Sequence, residues 1–317
     1  MRKALAAILW INLCCSAEVH LDQKTDRVVV TIDQKAFGSL YFGVDANKPF
    51  FYPLTTPEGI RVTRGFPIDP VEGDPVDHRH QKGLWMGTER LSGMDLWEND
   101  ATYNRPRMGK IVFRDVSRLV SGKDRGELVF RADWVSPASQ LLVTEDRTMI
   151  FYSGIPHGHI VDVDVTLTAR KPVVFEDHQD AVIGIRLNPA FDEKKGGMAM
   201  NAEGFRGEAG IRGRASRYVD WKATIDKNPV GVAILDHPAN LSSPARWHIR
   251  DFGFFTANPF ARQAFDPNAV SAAKSLQPGE KLRLRYRVIV YSGRFDVEAS
   301  WREFAADAAA KAQAESR

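Results

Sequence analysis

The chain has 317 residues, 44% of them hydrophobic and 26% charged, a balance that suits a soluble globular protein and excludes disorder and coiled coil. Lys and Arg number 43 against 40 Asp and Glu, and setting aside Arg2 and Lys3 of the leader leaves 41 against 40. So even a balance carries no global field for nucleic acid or an anionic membrane, and neither is expected as a partner.

Residues 1–17 combine a short basic start, an apolar run from Leu5 to Ile11 and a small-residue exit at Cys15-Ser16-Ala17. This is the pattern of a secretory signal peptide cleaved before Glu18, so a periplasmic or secreted location is expected. The apolar run is far shorter than the ~20 residues a membrane span needs, and no later stretch reaches that length. Cys14 and Cys15 are the only two cysteines and both lie in the leader, where Asn12 occupies a position at which a lipoprotein attachment site wants an aliphatic residue. The mature chain then has no thiol, which excludes disulfides, cysteine zinc sites and cysteine nucleophiles.

From residue 18 onward β-rich runs dominate. They fall at Arg27 to Ile32, Ile111 to Phe113, Glu127 to Trp134 and Thr148 to Tyr152. In Ile160 to Ala169, Val161, Val163, Val165 and Leu167 share one face and Asp162, Asp164, Thr166 and Thr168 the other, the period of a half-buried strand. Runs at Val182 to Leu187 and Val230 to Leu235 follow, and Lys281 to Tyr291 again alternates, with Leu282, Leu284, Tyr286, Val288 and Val290 on one side. Ser121-Gly122-Lys123, Asn188-Pro189 and Gln277-Pro278-Gly279 supply turns, and the glycines at 204, 207, 210 and 213 mark a turn-rich loop. One helix is expected at the end, capped by Asp296 and carrying Trp301, Phe304 and Ala308 on one face. No linker or repeat marks a boundary, so residues 18–317 are read as a single all-β domain, a β-sandwich with a short C-terminal helix.

Nucleotide-binding glycine motifs, H-E-x-x-H and the G-x-S-x-G elbow are absent, which leaves histidine, carboxylate and tryptophan. The densest segment is Asp77-His78-Arg79-His80-Gln81-Lys82-Gly83-Leu84-Trp85, followed by Leu96-Trp97-Glu98. In an extended backbone His78 and His80 would point to the same side, as two imidazoles meeting one ligand require. A second cluster is Glu176-Asp177-His178-Gln179-Asp180; a third is Asp236-His237-Pro238, with Trp247-His248-Ile249-Arg250-Asp251 close behind. Tryptophan offers a stacking face to a sugar, and Arg and His offer donors to its oxygens. No spacing is diagnostic of a metal, and a copper site built on an N-terminal His20 would need an unfavourable cleavage after Val19. Neither metal nor cofactor is expected.

The strings VTRGFP (62–67), DHRHQKGLW (77–85), AEGFRGE (202–208), DHPAN (236–240) and WHIRDFGFFTANPF (247–260) closely resemble a family of exported bacterial proteins of unassigned function, often labelled methane oxygenase PmoA. The chain departs from that pattern at Arg79, where proline is usual, at Lys82, where arginine is common, and at His178, where threonine is frequent, while Asp180 matches its acidic position. The label does not fit the chain, because a methane monooxygenase subunit is a bundle of membrane helices. The resemblance implies a galactose-mutarotase-like supersandwich, a fold used by aldose epimerases and by domains of polysaccharide lyases and glycosidases.

The function expected is therefore a carbohydrate-active enzyme acting on a glycoside or a modified keto-sugar by hydrolysis, elimination or epimerisation. His78 or His80 would be the acid and Asp180 or Glu203 the base. Arg64, Lys82, His237, His248 and Arg250 would hold substrate oxygens, and Trp85, Trp97 or Trp247 would stack on the ring. The alternatives are a non-catalytic glycan-binding protein on the same platform, and a metal-dependent oxygenase or hydrolase.

Overall fold

The computed structural model describes residues 18–43 and 46–315, with side chains through residue 306. The expected signal peptide, with both cysteines, lies outside the described residues.

The strands in chain order are β1 (Val19–Gln23), β2 (Arg27–Ile32), β3 (Lys35–Tyr41), β4 (Phe50–Tyr52), β5 (Leu84–Thr88), β6 (Lys110–Val120), β7 (Arg125–Val135), β8 (Leu141–Tyr152) and β9 (Gly158–Ala169). They continue as β10 (Val173–Phe175), β11 (Ala181–Arg186), β12 (Met198–Asn201), β13 (Tyr218–Ile225), β14 (Asn228–Asp236), β15 (Arg246–Arg250), β16 (Phe254–Asn258), β17 (Lys274–Leu276) and β18 (Lys281–Ser292). Among the described residues a five-residue α1 (Gly207–Ile211) and a terminal α2 (Val297–Glu315) are the α-helices.

Two antiparallel sheets of eight strands stack face to face. The first runs β1-β2-β3-β4-β5-β11-β16-β15 and the second β12-β13-β14-β18-β9-β8-β7-β6, with β10 and β17 forming a separate pair. The all-β sandwich with a C-terminal helix is the fold class expected from the sequence.

Alternation explains the packing. Val161, Val163, Val165 and Leu167 of β9 and Leu282, Leu284, Tyr286, Val288 and Val290 of β18 are buried in one apolar core with Met86, Ile183, Ile185 and Phe255 of the other sheet. On the opposite face of the same strands Arg287 clasps Asp162 in two bonds of 2.6 and 2.9 Å, beside the apolar Ile160 and Ile289. Asp296 caps α2 by accepting the Ala299 N–H at 2.8 Å. Phe304 and Trp301 then pack on Ile160, Leu235 and Ile289, so α2 covers the outer face of the second sheet. The outer face of the first sheet is left for β5, β11, β16 and β15 to furnish.

Candidate active site

That outer face is set by strand register. Gly184 of β11 stands opposite Trp85 of β5 on one side and Thr256 of β16 on the other, and Thr256 stands opposite His248 of β15. Within β15 and β16, Trp247, Ile249, Phe255 and Ala257 enter the core. The period of two therefore turns His248, Arg250, Phe254 and Thr256 outward. Gly184 lets Trp97 lie flat against the sheet, because a Cβ there would stand 2.7 Å from the indole. Trp85, Trp97 and Phe254 form an aromatic floor with ring centroids 5.0 to 6.4 Å apart. Phe252, half-exposed in the tight β15–β16 turn, extends it at 6.4 Å from Phe254. Gly253 closes that turn with φ +82°, a left-handed conformation that glycine adopts without strain.

One end of the floor carries the histidine loop. Two arginines, each 1% exposed, lie beneath it. Arg64 donates to the carbonyls of Pro75, Asp77, His78 and Gln81 at 2.9 to 3.1 Å and to Asp77 Oδ1 at 2.8 Å. Arg186 donates to Asp77 Oδ1 at 3.0 Å and to Gln81 Oε1 at 2.6 Å. Asp77 in turn meets His78 Nδ1 at 2.5 Å. Burial opposes its charge, but the bond to His78 and the charge of Arg186 hold its carboxyl well below the usual carboxylate range. The loop is a turn and not the extended segment expected. His78 has φ +42°, and the Gln81 N–H closes on its carbonyl at 2.9 Å. The two histidines still meet, with centroids 5.7 Å apart, but in different settings. His78 is 43% exposed and its ring lies 5.8 Å from Phe252. His80 is 3% exposed, and burial, helped by the charge of Lys48, pushes it down to about 2.

The other end is acidic. Glu89 follows β5 directly, and its N–H donates to the Asp180 carbonyl at 3.0 Å. His178 Nδ1 lies 3.5 Å from Glu89 Oε2 and 3.9 Å from Asp180 Oδ2, while His248 Nδ1 lies 3.1 Å from Asp180 Oδ1. Burial and the adjacent Asp180 push Glu89 up to about 7. Against burial, the His248 bond keeps Asp180 below the ordinary carboxylate range, and burial lowers His178. Asn258 fixes this corner by donating to the carbonyls of His178 and Gln179 at 2.8 and 2.9 Å. Ring contacts of 5.8, 6.4 and 5.4 Å lead from His78 through Phe252 and Phe254 to His248, so both ends border one aromatic stretch of the sheet's outer face, termed the bay. Beside it, past β15, a cavity of about 910 Å³ is lined by Glu208, Arg212, Arg246 and Phe265, and Phe265 also packs on His248 at 6.2 Å.

Several expected site residues lie elsewhere. Trp85, Trp97 and Trp247 are at most 1% exposed and offer no face to a sugar. Trp247 points into the core and donates to the Ser216 carbonyl at 2.9 Å. His237 is buried in the second sheet's layer against Phe304 of α2. Its neighbour Asp236 holds a corner by accepting from Asn240 and the Ala245 N–H. Glu203 is exposed in the turn after β12. Arg64 holds the loop from below, and Lys82 is paired with Asp100 at 2.7 Å. Asp177 gathers the N–H groups of residues 262–264 and 272, which is a structural role. Of the expected residues, His78, Asp180, His248 and Arg250 reach the bay, with His80 just beneath it. Asp77 belongs to the dense segment but was given no role, and Glu89 and Arg186 were not foreseen.

The sequence matches the model of a family of unknown function, DUF6807, over residues 27–305, and the chain belongs to that family. No curated protein matches it. Among solved structures it is similar to a mutant of the heparan sulfate lyase HepC from Pedobacter heparinus, 8% identical with a TM-score of 0.43, over 90% of this chain and 36% of that one. It is also similar to a galactose mutarotase related enzyme from Lactobacillus acidophilus, 10% identical with a TM-score of 0.32, over 87% of this chain and 97% of that one. A third is a glycoside hydrolase family 97 enzyme from Pseudoalteromonas sp. strain K8, 9% identical with a TM-score of 0.34, over 88% and 34%. The chain spans about a third of the length of the lyase and of the hydrolase.

Proposed function

We propose that the bay is the active site of a periplasmic or secreted enzyme acting on a glycoside or a modified sugar, with His78 as its proton-transfer residue. The observation that carries this reading is the Asp77–His78 pair, clamped by Arg64 and Arg186. An imidazole whose Nδ1–H is donated to a fixed carboxylate has one orientation and one tautomer, which leaves Nε2 to exchange a proton with substrate. Hydrolysis, elimination and epimerisation each need such a transfer to or from oxygen, carbon or water. Phe252 is half-buried with the Arg186 guanidinium carbon 4.2 Å from its ring centroid, so it would meet a sugar only with the part of the ring left uncovered. Arg250, 42% exposed and with its guanidinium carbon 5.6 Å from the Phe252 centroid, supplies donors for hydroxyl or carboxylate oxygens.

The test is a mass-spectrometric screen of the purified protein against glycosides and their keto-sugar derivatives. His78→Asn should lose roughly 100-fold or more in kcat, and Asp77→Asn should fall with it because the tautomer is no longer held. Turnover intact in His78→Asn would sink the assignment. Sugar binding without product, unchanged by that substitution, would make the bay a glycan platform.

A further inference from the structure

We infer that Glu89, His178 and Asp180, supported by His248, form a site for one divalent transition-metal ion of zinc's class. One donor atom from each of Glu89, His178 and Asp180 lies within 4.8 Å of the other two. A tetrahedral zinc with ligands ~2.1 Å away needs its donors roughly 3.4 Å apart. His178 Nδ1 stands 3.5 Å from Glu89 Oε2 and 3.9 Å from Asp180 Oδ2, close to that need after small side-chain rotations that release the 3.3 Å bond it accepts from the Asp180 N–H. The donors come from the end of β5 and the loop before β11, and Asn258 holds that loop by its carbonyls.

A structural ion-pair network would neutralise two adjacent carboxylates with Lys or Arg. Among the described residues no Lys or Arg pairs with Glu89 or Asp180; the neighbouring Arg90 turns to Glu176 instead. Two carboxylates and two imidazoles thus face one another with no Lys or Arg partner among the described residues. His248 supports the same carboxylate. It is 4% exposed and its Nδ1 lies 3.1 Å from Asp180 Oδ1, so it orients that carboxylate from outside the donor set. The mixed nitrogen and oxygen donors suit zinc or manganese better than calcium, which prefers an all-oxygen shell. The ion would sit across the aromatic floor from His78 and could hold vicinal oxygens of a bound sugar. The site does not depend on the proton-transfer reading, and its test reads no turnover.

The experiment is titration calorimetry of the chelator-treated protein with zinc chloride and separately with calcium chloride, beside Asp180→Asn and His178→Ala. Expected is one zinc per chain, calcium weaker by at least tenfold, and zinc affinity weakened at least tenfold by either substitution. The visible spectrum of bound cobalt(II) should change in His178→Ala, which reports ligation directly. Glu89→Gln is the conservative check, since it keeps the side chain's shape while weakening the site. Absence of zinc binding in the wild type would overturn the inference. So would unchanged zinc binding in all three variants, or calcium bound more tightly than zinc.

Discussion

His78 and His80 are two residues apart and chemically opposite. His78 is in solvent and tied to a carboxylate, whereas His80 is buried among cations and held neutral. The folded chain refuses the proton that an unfolded His80 accepts below pH ~6.5. Its contribution to stability is therefore full above that pH and lost as pH falls from there towards 2. Between pH 6.5 and pH 5 the loss is about 2 kcal/mol at about 1.4 kcal/mol per unit. His80→Gln removes the titration, so its stability in urea should fall about 2 kcal/mol less than the wild type's between pH 7 and pH 5. Equal falls would show that His80 is not held neutral. The histidines themselves were legible in the sequence as a dense polar run, but their division of labour was not. Arg186 and Asp77 are 109 residues apart, and only the fold brings the second arginine under the loop.

Strand alternation decides which part of a motif reaches the bay. In Trp247-His248-Ile249-Arg250 the period of two sends alternate side chains to opposite faces, so Trp247 could never share a site with His248 and Arg250. Residue types alone do not separate the two faces of that run. Glu89 carries no signal in the sequence for a related reason: it stands just past a buried strand, and its partner Asp180 is set by the β5–β11 register. The same register makes Gly184 the narrowest point of the floor. In Gly184→Ala the new methyl would stand 2.7 Å from Trp97 and 3.2 Å from Thr256 and Trp85. The substitution should cost about 1–3 kcal/mol, read as a lower midpoint in thermal denaturation. A change within about 0.5 kcal/mol would mean that Trp97 does not press on the sheet.

At the scale of the molecule, one apolar core draws on both sheets. The edges are also tied, since Val19 of β1 exchanges backbone bonds of 2.8 and 3.0 Å with Gly122 in the β6–β7 turn. Calorimetry should therefore record a single cooperative transition coincident with loss of far-UV dichroism, and two separated transitions would divide the chain into domains. The strand pattern was legible because burial on one face imposes period two. The bay was harder to read because it occupies a sheet face that long loops complete. The tryptophans excluded from sugar stacking acquire a different use there. Trp85 and Trp97 sit 5.0 Å apart, tilted by 54°, and both touch Phe254, whose ring meets His248. Two indoles so close and so oriented couple their electronic transitions. The protein thus carries an unlabelled chiroptical gauge under its own bay, whose near-ultraviolet signal should shift when anything settles above.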